Sequence, residues 1–153
     1  MRLWGERIRV IRQVETRLVR KWRDEDQWEM KIWATACDRI REGYAAGDLA
    51  SVFIRSKRMA SLARDCHPPA HEAHYFACSY LAKLSGFRRD HKGVIRWSRR
   101  AIASGPDEAR VLEADICGGW YFLGQYNRSI KVGQEALLNS QTDRAYIEDI
   151  EWR

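Results

Sequence analysis

Cys66, His67, His71, His74 and Cys78 fall within thirteen residues, CHPPAHEAHYFAC, which hold three of the four histidines and two of the four cysteines. Neutral imidazole and thiolate are zinc ligands, and a closed structural site needs four of them. His71, His74 and Cys78 follow an i, i+3, i+7 spacing and so share one face of a helix. Cys66 and His67 lie across Pro68-Pro69, a turn able to fold back on that face. The spacing matches no zinc finger, and HEAH lacks the i, i+4 histidine pair of a zinc-protease helix. Cys78 also falls where a helix of this pattern packs inward, and His71 and His74 sit near a helix start. The sequence therefore implies no cofactor and no metal, with a zinc-stabilised module through these five residues as an alternative.

No other catalytic pattern is present: there is no phosphate-binding glycine loop, no GxSxG and no DxDxDG calcium loop. Carboxylates stand mostly at helix starts or among arginines, where capping and solvated pairing account for them. Gly118-Gly119 lies inside a helical pattern, where it permits close helix contact rather than cradling a phosphate. The expectation is a protein that is not an enzyme.

Charge is the second chemical signal. Residues 1–23 carry eight basic side chains against Glu6 and Glu15, whereas the remaining 130 residues are balanced, so the net charge of +6 belongs to one segment. At about 100° per residue, Arg2, Arg9, Arg12, Arg20 and Arg23 lie opposite the apolar stripe of that segment. A second basic run, Arg88, Arg89, Lys92, Arg96, Arg99 and Arg100 around Trp97, has helical spacing and Asp90 as its one acid. Arg2, Arg9, Arg12, Arg20, Arg89, Lys92, Arg96 and Arg99 together define a candidate basic surface for nucleic acid, with solvated arginine faces as the alternative.

The elements that must position these groups are helical throughout. Leu3 to Arg23 predicts an amphipathic helix with Trp4, Ile8, Ile11, Leu18 and Trp22 in its stripe and Val14 on the flank. Asp24–Asp26 supplies N-cap candidates for a helix through about Ala46, in which Trp33, Ala36, Cys37, Ile40 and Tyr44 keep helical spacing. Gly47 ends it and Asp48 caps a third helix to about Asp65. Pro68-Pro69 breaks the chain. Helices then follow from Ala70 to about Phe87 and, capped by Asp90, from Lys92 to Ser104. Pro106-Asp107-Glu108 opens the next with a proline and two acids suited to a helix N-terminus. Gly124 supplies a left-handed corner between Arg110–Phe122 and Tyr126–Asn139. Thr142 is the expected cap of a last helix, where Tyr146, Ile147 and Ile150 would cover the end.

These helices repeat. Leu81-Ala82, Val94-Ile95 and Ala101-Ile102 precede Ile116-Cys117, Ser129-Ile130 and Ala136-Leu137 by 35 residues each time. LGQYNRSIKVGQEAL and AIASGPDEA resemble the tetratricopeptide repeat: a small-residue turn, an aromatic, a small-apolar second helix, then a proline that starts the next unit. Cys117 stands where that family usually has Gly or Ala, and Ser85 where it has an inward aromatic. The resemblance implies an all-α, tetratricopeptide-like stack of antiparallel hairpins forming one domain: a basic helix at 1–23, a degenerate unit at 24–65, units at 70–104 and 107–139, and a cap at 142–153. It also implies a concave groove lined by Phe76, Ser79, Tyr80, Lys83, Phe87, Val111, Ala114, Asp115, Gly118, Tyr121 and Phe122. Only Lys83 answers the family's lysine-and-asparagine clamp for a C-terminal carboxylate. The layout is similar to small bacterial secretion chaperones built from these repeats.

The reading is a non-catalytic interaction module, adaptor or chaperone, that binds a partner peptide or helix in the groove, with nucleic acid as the alternative partner. Four unpaired cysteines imply a reducing, cytoplasmic setting. No run of 18 apolar residues exists to span a membrane. Trp4, Trp22, Trp28 and Trp33 at one end make self-association an expectation, and the last helix reaching Arg153 fits either a short cap or a piece of a longer protein.

Overall fold

The computed structural model describes residues 2–25 and 27–142, with side chains over 8–25 and 27–139. These residues are all-helical: α1 (Arg2–Asp24), α2 (Trp28–Ala45), α3 (Leu49–Asp65), α4 (His71–Phe87), α5 (His91–Ser104), a 3-10 turn η1 (Asp107–Leu112), α6 (Glu113–Phe122) and α7 (Tyr126–Thr142). From α2 onward each helix packs on the next in the chain. None is long and apolar enough to cross a membrane.

Three corners of the same construction join α2 to α3, α4 to α5 and α6 to α7. Each has three residues, and the middle one takes a left-handed backbone: Gly47 at φ 75°, Arg89 at φ 54° and Gly124 at φ 74°. The next amide reaches five residues back in every case, Asp48 to Gly43, Asp90 to Ser85 and Gln125 to Trp120, each at 2.9 Å. This closure satisfies carbonyls that a helix end leaves unpaired, and it turns the chain back on itself. The side chains of Asp48 and Asp90 then cap α3 and α5 by accepting from the Ser51 and Gly93 amides at 3.2 and 2.9 Å.

The core runs along α4, where Tyr75, Phe76, Ala77, Cys78 and Leu81 are fully buried. α4 lies between α3 and α5 and also touches α2. Small residues at matching places in the second helices let them approach: Ser56 and Ser98 are buried, and Gly133 faces Cys117. Cys117, larger than the repeat pattern expects, links its hairpin by hydrogen bonds. Its thiol donates to the Ser129 carbonyl at 3.3 Å, and the Ser129 hydroxyl donates to the Cys117 carbonyl at 3.0 Å.

Three expectations are corrected. The N-cap of α2 is Gln27, without a side-chain bond, rather than an aspartate among 24–26. The third hairpin begins as the 3-10 turn η1, with Asp107 and Glu108 in its first turn, and becomes α-helical only at Glu113. Thr142 lies in the last described turn of α7 instead of starting a new helix. Tyr146, Ile147 and Ile150 lie outside the described residues.

Two predictions follow from backbone geometry. Arg89→Gly, which places glycine where Gly47 and Gly124 already stand, is expected to stabilise the fold by about 0.5–1 kcal/mol. Calorimetry should show a melting temperature about 1–3 °C higher, and a lower one refutes the strain at that corner. The adjacent glycines of α6 should respond oppositely. Gly118 has open space around it, so Gly118→Ala should gain up to about 1 kcal/mol of helix propensity. A methyl at Gly119 would sit 2.7 Å from Ile95 Cγ1 and 3.3 Å from the His91 carbonyl, so Gly119→Ala should cost about 1–3 kcal/mol by overpacking. Equal effects from the two would disprove the close α5–α6 approach.

Candidate interaction surfaces

The first helix decides which groove residues are accessible. α1 packs on α2 and η1, and its side chains reach α4. Ile11, Val14, Leu18, Val19 and Trp22 are buried in the common core, whereas Ile8 is exposed. Trp4 and Arg2 have no described side chain. Inside the apolar stripe stands Glu15, only 2% exposed. Lys83 Nζ donates to its Oε1 at 3.0 Å and Tyr80 OH to its Oε2 at 3.2 Å. The Lys83 ammonium also lies 4.3 Å from the Tyr80 ring centroid, a cation–π contact. Burial, reinforced by the Glu15 charge, pushes the Tyr80 phenol well above its usual range.

Ion pairs tie the rest of α1 down: Arg17 to Glu108 at 3.0 Å, Lys21 to Glu72 at 3.1 Å, and Arg23 to Asp38. Three of the basic residues of α1 are thus structural partners. Arg9, Arg12 and Arg20 remain exposed.

This arrangement divides the sequence-derived groove. Phe76, Ser79 and Tyr80 are buried and Lys83 half-buried, so they belong to the core and the α1 contact rather than to an open surface. Val111 is half-buried and packs against the core, and Asp115 and Gly118 are half-buried. Ala114, Phe87, Tyr121 and Phe122 are exposed. Sequence reasoning missed Glu15, although its position between Ile11 and Leu18 in the stripe was the available signal. It also missed Tyr126.

The exposed aromatics gather at the corners. Phe122 stacks on His91 with centroids 4.9 Å apart and 14° between planes. Tyr121 meets Tyr126 at 5.5 Å, and Phe87 meets Tyr44 at 6.2 Å. Phe87, Tyr121, Phe122 and Tyr126 are each between 57% and 68% exposed. Among the four N-terminal tryptophans, Trp22 is buried, Trp33 half-buried and Trp28 exposed.

Arg89 is exposed at the corner before α5, and Lys92, Arg96 and Arg99 are exposed along α5. α1, which carries Arg9, Arg12 and Arg20, and α5 both contact α4 and η1. Arg96 and Arg100 lie over Trp97, and Arg99 and Arg128 over Trp120.

Of the cysteine–histidine cluster only His74 and Cys78 are drawn together, with Cys78 Sγ 3.6 Å from His74 Nε2. The Cys66 thiol lies 3.3 Å from the carbonyls of Ala63 and Pro68, which share its one proton as acceptors. Cys78 is buried, which pushes its thiol up to about 12, away from the thiolate that a metal requires. His74 Nδ1 lies 2.8 Å from Ser104 Oγ, and burial lowers its basicity. His67 and His71 are exposed. Among the described residues no group of three His, Cys, Asp or Glu is placed to hold a metal ion.

Comparison with protein-family models, with curated proteins and with solved structures gives no match. The surfaces must be read from their own chemistry.

The docking of α1 is testable. Lys83→Ala leaves the buried Glu15 carboxylate with Tyr80 alone, an expected loss of about 1–3 kcal/mol, accompanied by faster amide exchange along residues 11–22. Unchanged exchange there would show that the ion pair does not hold α1. Acid should act in the same direction. Arg17 holds the Glu108 carboxyl below its ordinary value of 4.5, so the bridge contributes above that value and is lost as pH falls through the lower native one. Protection of the α1 amides, taken relative to their intrinsic exchange rates, should therefore fall below about pH 4.5, and less so in Glu108→Gln.

Proposed function

We propose that the protein is a non-catalytic, cytoplasmic interaction module, an adaptor or chaperone built as a tetratricopeptide-like stack, that holds a peptide or helix of another protein. The observation that carries this reading is the row of aromatics at successive corners, Phe87, Tyr121, Phe122 and Tyr126, each more than half exposed. Large apolar side chains gathered on a surface mark interaction sites, and aromatics bury much area at low entropy cost when a partner covers them.

The neighbouring face supports the same reading. α1 occupies α2, α4 and η1 as an amphipathic helix with apolar contacts and ion pairs combined. A face that accommodates one helix in this way has the chemistry of helix-in-groove recognition. Because that part is filled by the protein's own chain, the partner engages the open aromatic row beside it. The strongly shifted groups, the Cys37 and Cys78 thiols and the Tyr80 phenol, are shifted by burial in the core. This pattern fits packing rather than catalysis.

The test is capture of partners from extracts of the native host, identified by mass spectrometry. Tyr121→Ala combined with Phe122→Ala should weaken capture by at least about 30-fold, the effect of removing a dominant anchor, while the helical circular-dichroism signal stays unchanged. Capture that persists at full strength in the double variant sinks the proposal.

A further inference from the structure

Four arginines stand over two indoles on the side of the molecule formed by α5, α6 and α7. The Arg96 and Arg100 guanidinium carbons lie 5.0 and 4.9 Å from the Trp97 ring centroid. Those of Arg99 and Arg128 lie 5.6 and 4.8 Å from Trp120. None of the four joins an ion pair among the described residues, in contrast to Arg17 and Arg23 of α1, which are both paired. Lys92 extends the row along α5, so that it spans about 12 Å from residue 92 to residue 100 at the rise of an α-helix, and Arg89 stands exposed at the corner before it.

From this we infer that the Arg96–Arg100–Arg99–Arg128 surface binds the phosphodiester backbone of a nucleic acid, without reading its sequence. Like charges side by side repel, and an anionic partner relieves that repulsion. A guanidinium resting on an aromatic face is held in place while its edge donors stay free, which suits the two-pronged contact to phosphate oxygens. On α5 itself the apolar neighbours of these arginines, Trp97 and Ile95, are only 7% and 5% exposed, which leaves neither to insert among lipids. Lys92, Arg96, Arg99 and Arg100 at i, i+4, i+7 and i+8 keep their charges on one side of α5, a row that matches a polymer of repeating phosphates better than the irregular carboxylates of an acidic protein. The aromatic row proposed for a protein partner involves different side chains, so the two surfaces stand or fall separately.

Fluorescence anisotropy of the full chain with a labelled 20-nucleotide single strand, and with the corresponding duplex, tests the inference. With four phosphates neutralised, affinity for the single strand should fall about 50-fold between 50 and 200 mM salt. Arg96→Glu with Arg128→Glu, one change at each indole, should reduce binding at least tenfold, whereas Arg9→Glu with Arg12→Glu on α1 should change it less than threefold. Arg96→Gln with Arg128→Gln keeps the hydrogen-bonding bulk and guards against misfolding; it should weaken binding and flatten the salt slope. No binding at 50 mM salt overturns the inference. So does binding lost only in the α1 variant, or binding to vesicles containing phosphatidylserine in place of either nucleic acid.

Discussion

Three tight corners determine where everything else can go. In each, one residue in the left-handed region lets the following amide reach five residues back, so the outgoing helix has to lie along the incoming one. Because the three corners have the same hydrogen bonds, the residues flanking them recur on the same edge. Tyr44, Phe87 and the Tyr121–Phe122 pair precede the corners, and Leu49, His91 and Tyr126 follow them. The aromatic row is thus a consequence of corner geometry combined with residue type, and needs no long-range folding event of its own.

The same regularity explains how one long helix, α1, can contact several elements at once. Helices joined by identical reversals present their first members, α2, α4 and the η1 segment, toward one side, and α1 touches all three. An amphipathic stripe of Ile11, Val14, Leu18 and Trp22 is what such a surface requires. The basic residues beside the stripe then meet acids from different elements: Asp38 on α2, Glu72 on α4 and Glu108 on η1. Surface ion pairs of this kind contribute little individually, with a median below about 1 kcal/mol. Their use here is to fix the orientation of a helix whose adhesion comes from burial.

Much of this was legible in the sequence, for physical reasons that differ by residue. Gly47 and Gly124 announced their corners because glycine alone enters the left-handed region freely. Asp48 and Asp90 announced the helix starts through their capping chemistry. The corner at Arg89 was legible only through its neighbours, since an arginine carries no such signal. The repeat resemblance placed Phe76, Ser79 and Tyr80 in a groove, yet it cannot tell a surface left open from one covered by a segment 65 residues away. Likewise, Cys66 and Cys78 share a sequence neighbourhood without sharing a site, because the Pro68-Pro69 break directs the Cys66 thiol to local carbonyls.

The burial of Glu15 shows why the α1 contact carries a polar centre. An apolar stripe alone tolerates sliding by a turn, because leucine, valine and isoleucine are interchangeable neighbours to a greasy surface. A buried carboxylate is not tolerant: away from Lys83 and Tyr80 it would lose both hydrogen bonds and retain its desolvation cost, several kcal/mol for an unpaired ion. Each other register is penalised by that amount. Lys83, itself half-buried and seated on the Tyr80 ring, faces the same constraint from the opposite side. The pair therefore contributes selectivity of position more than net adhesion, and its cost is offset by the five apolar residues of α1 that it aligns.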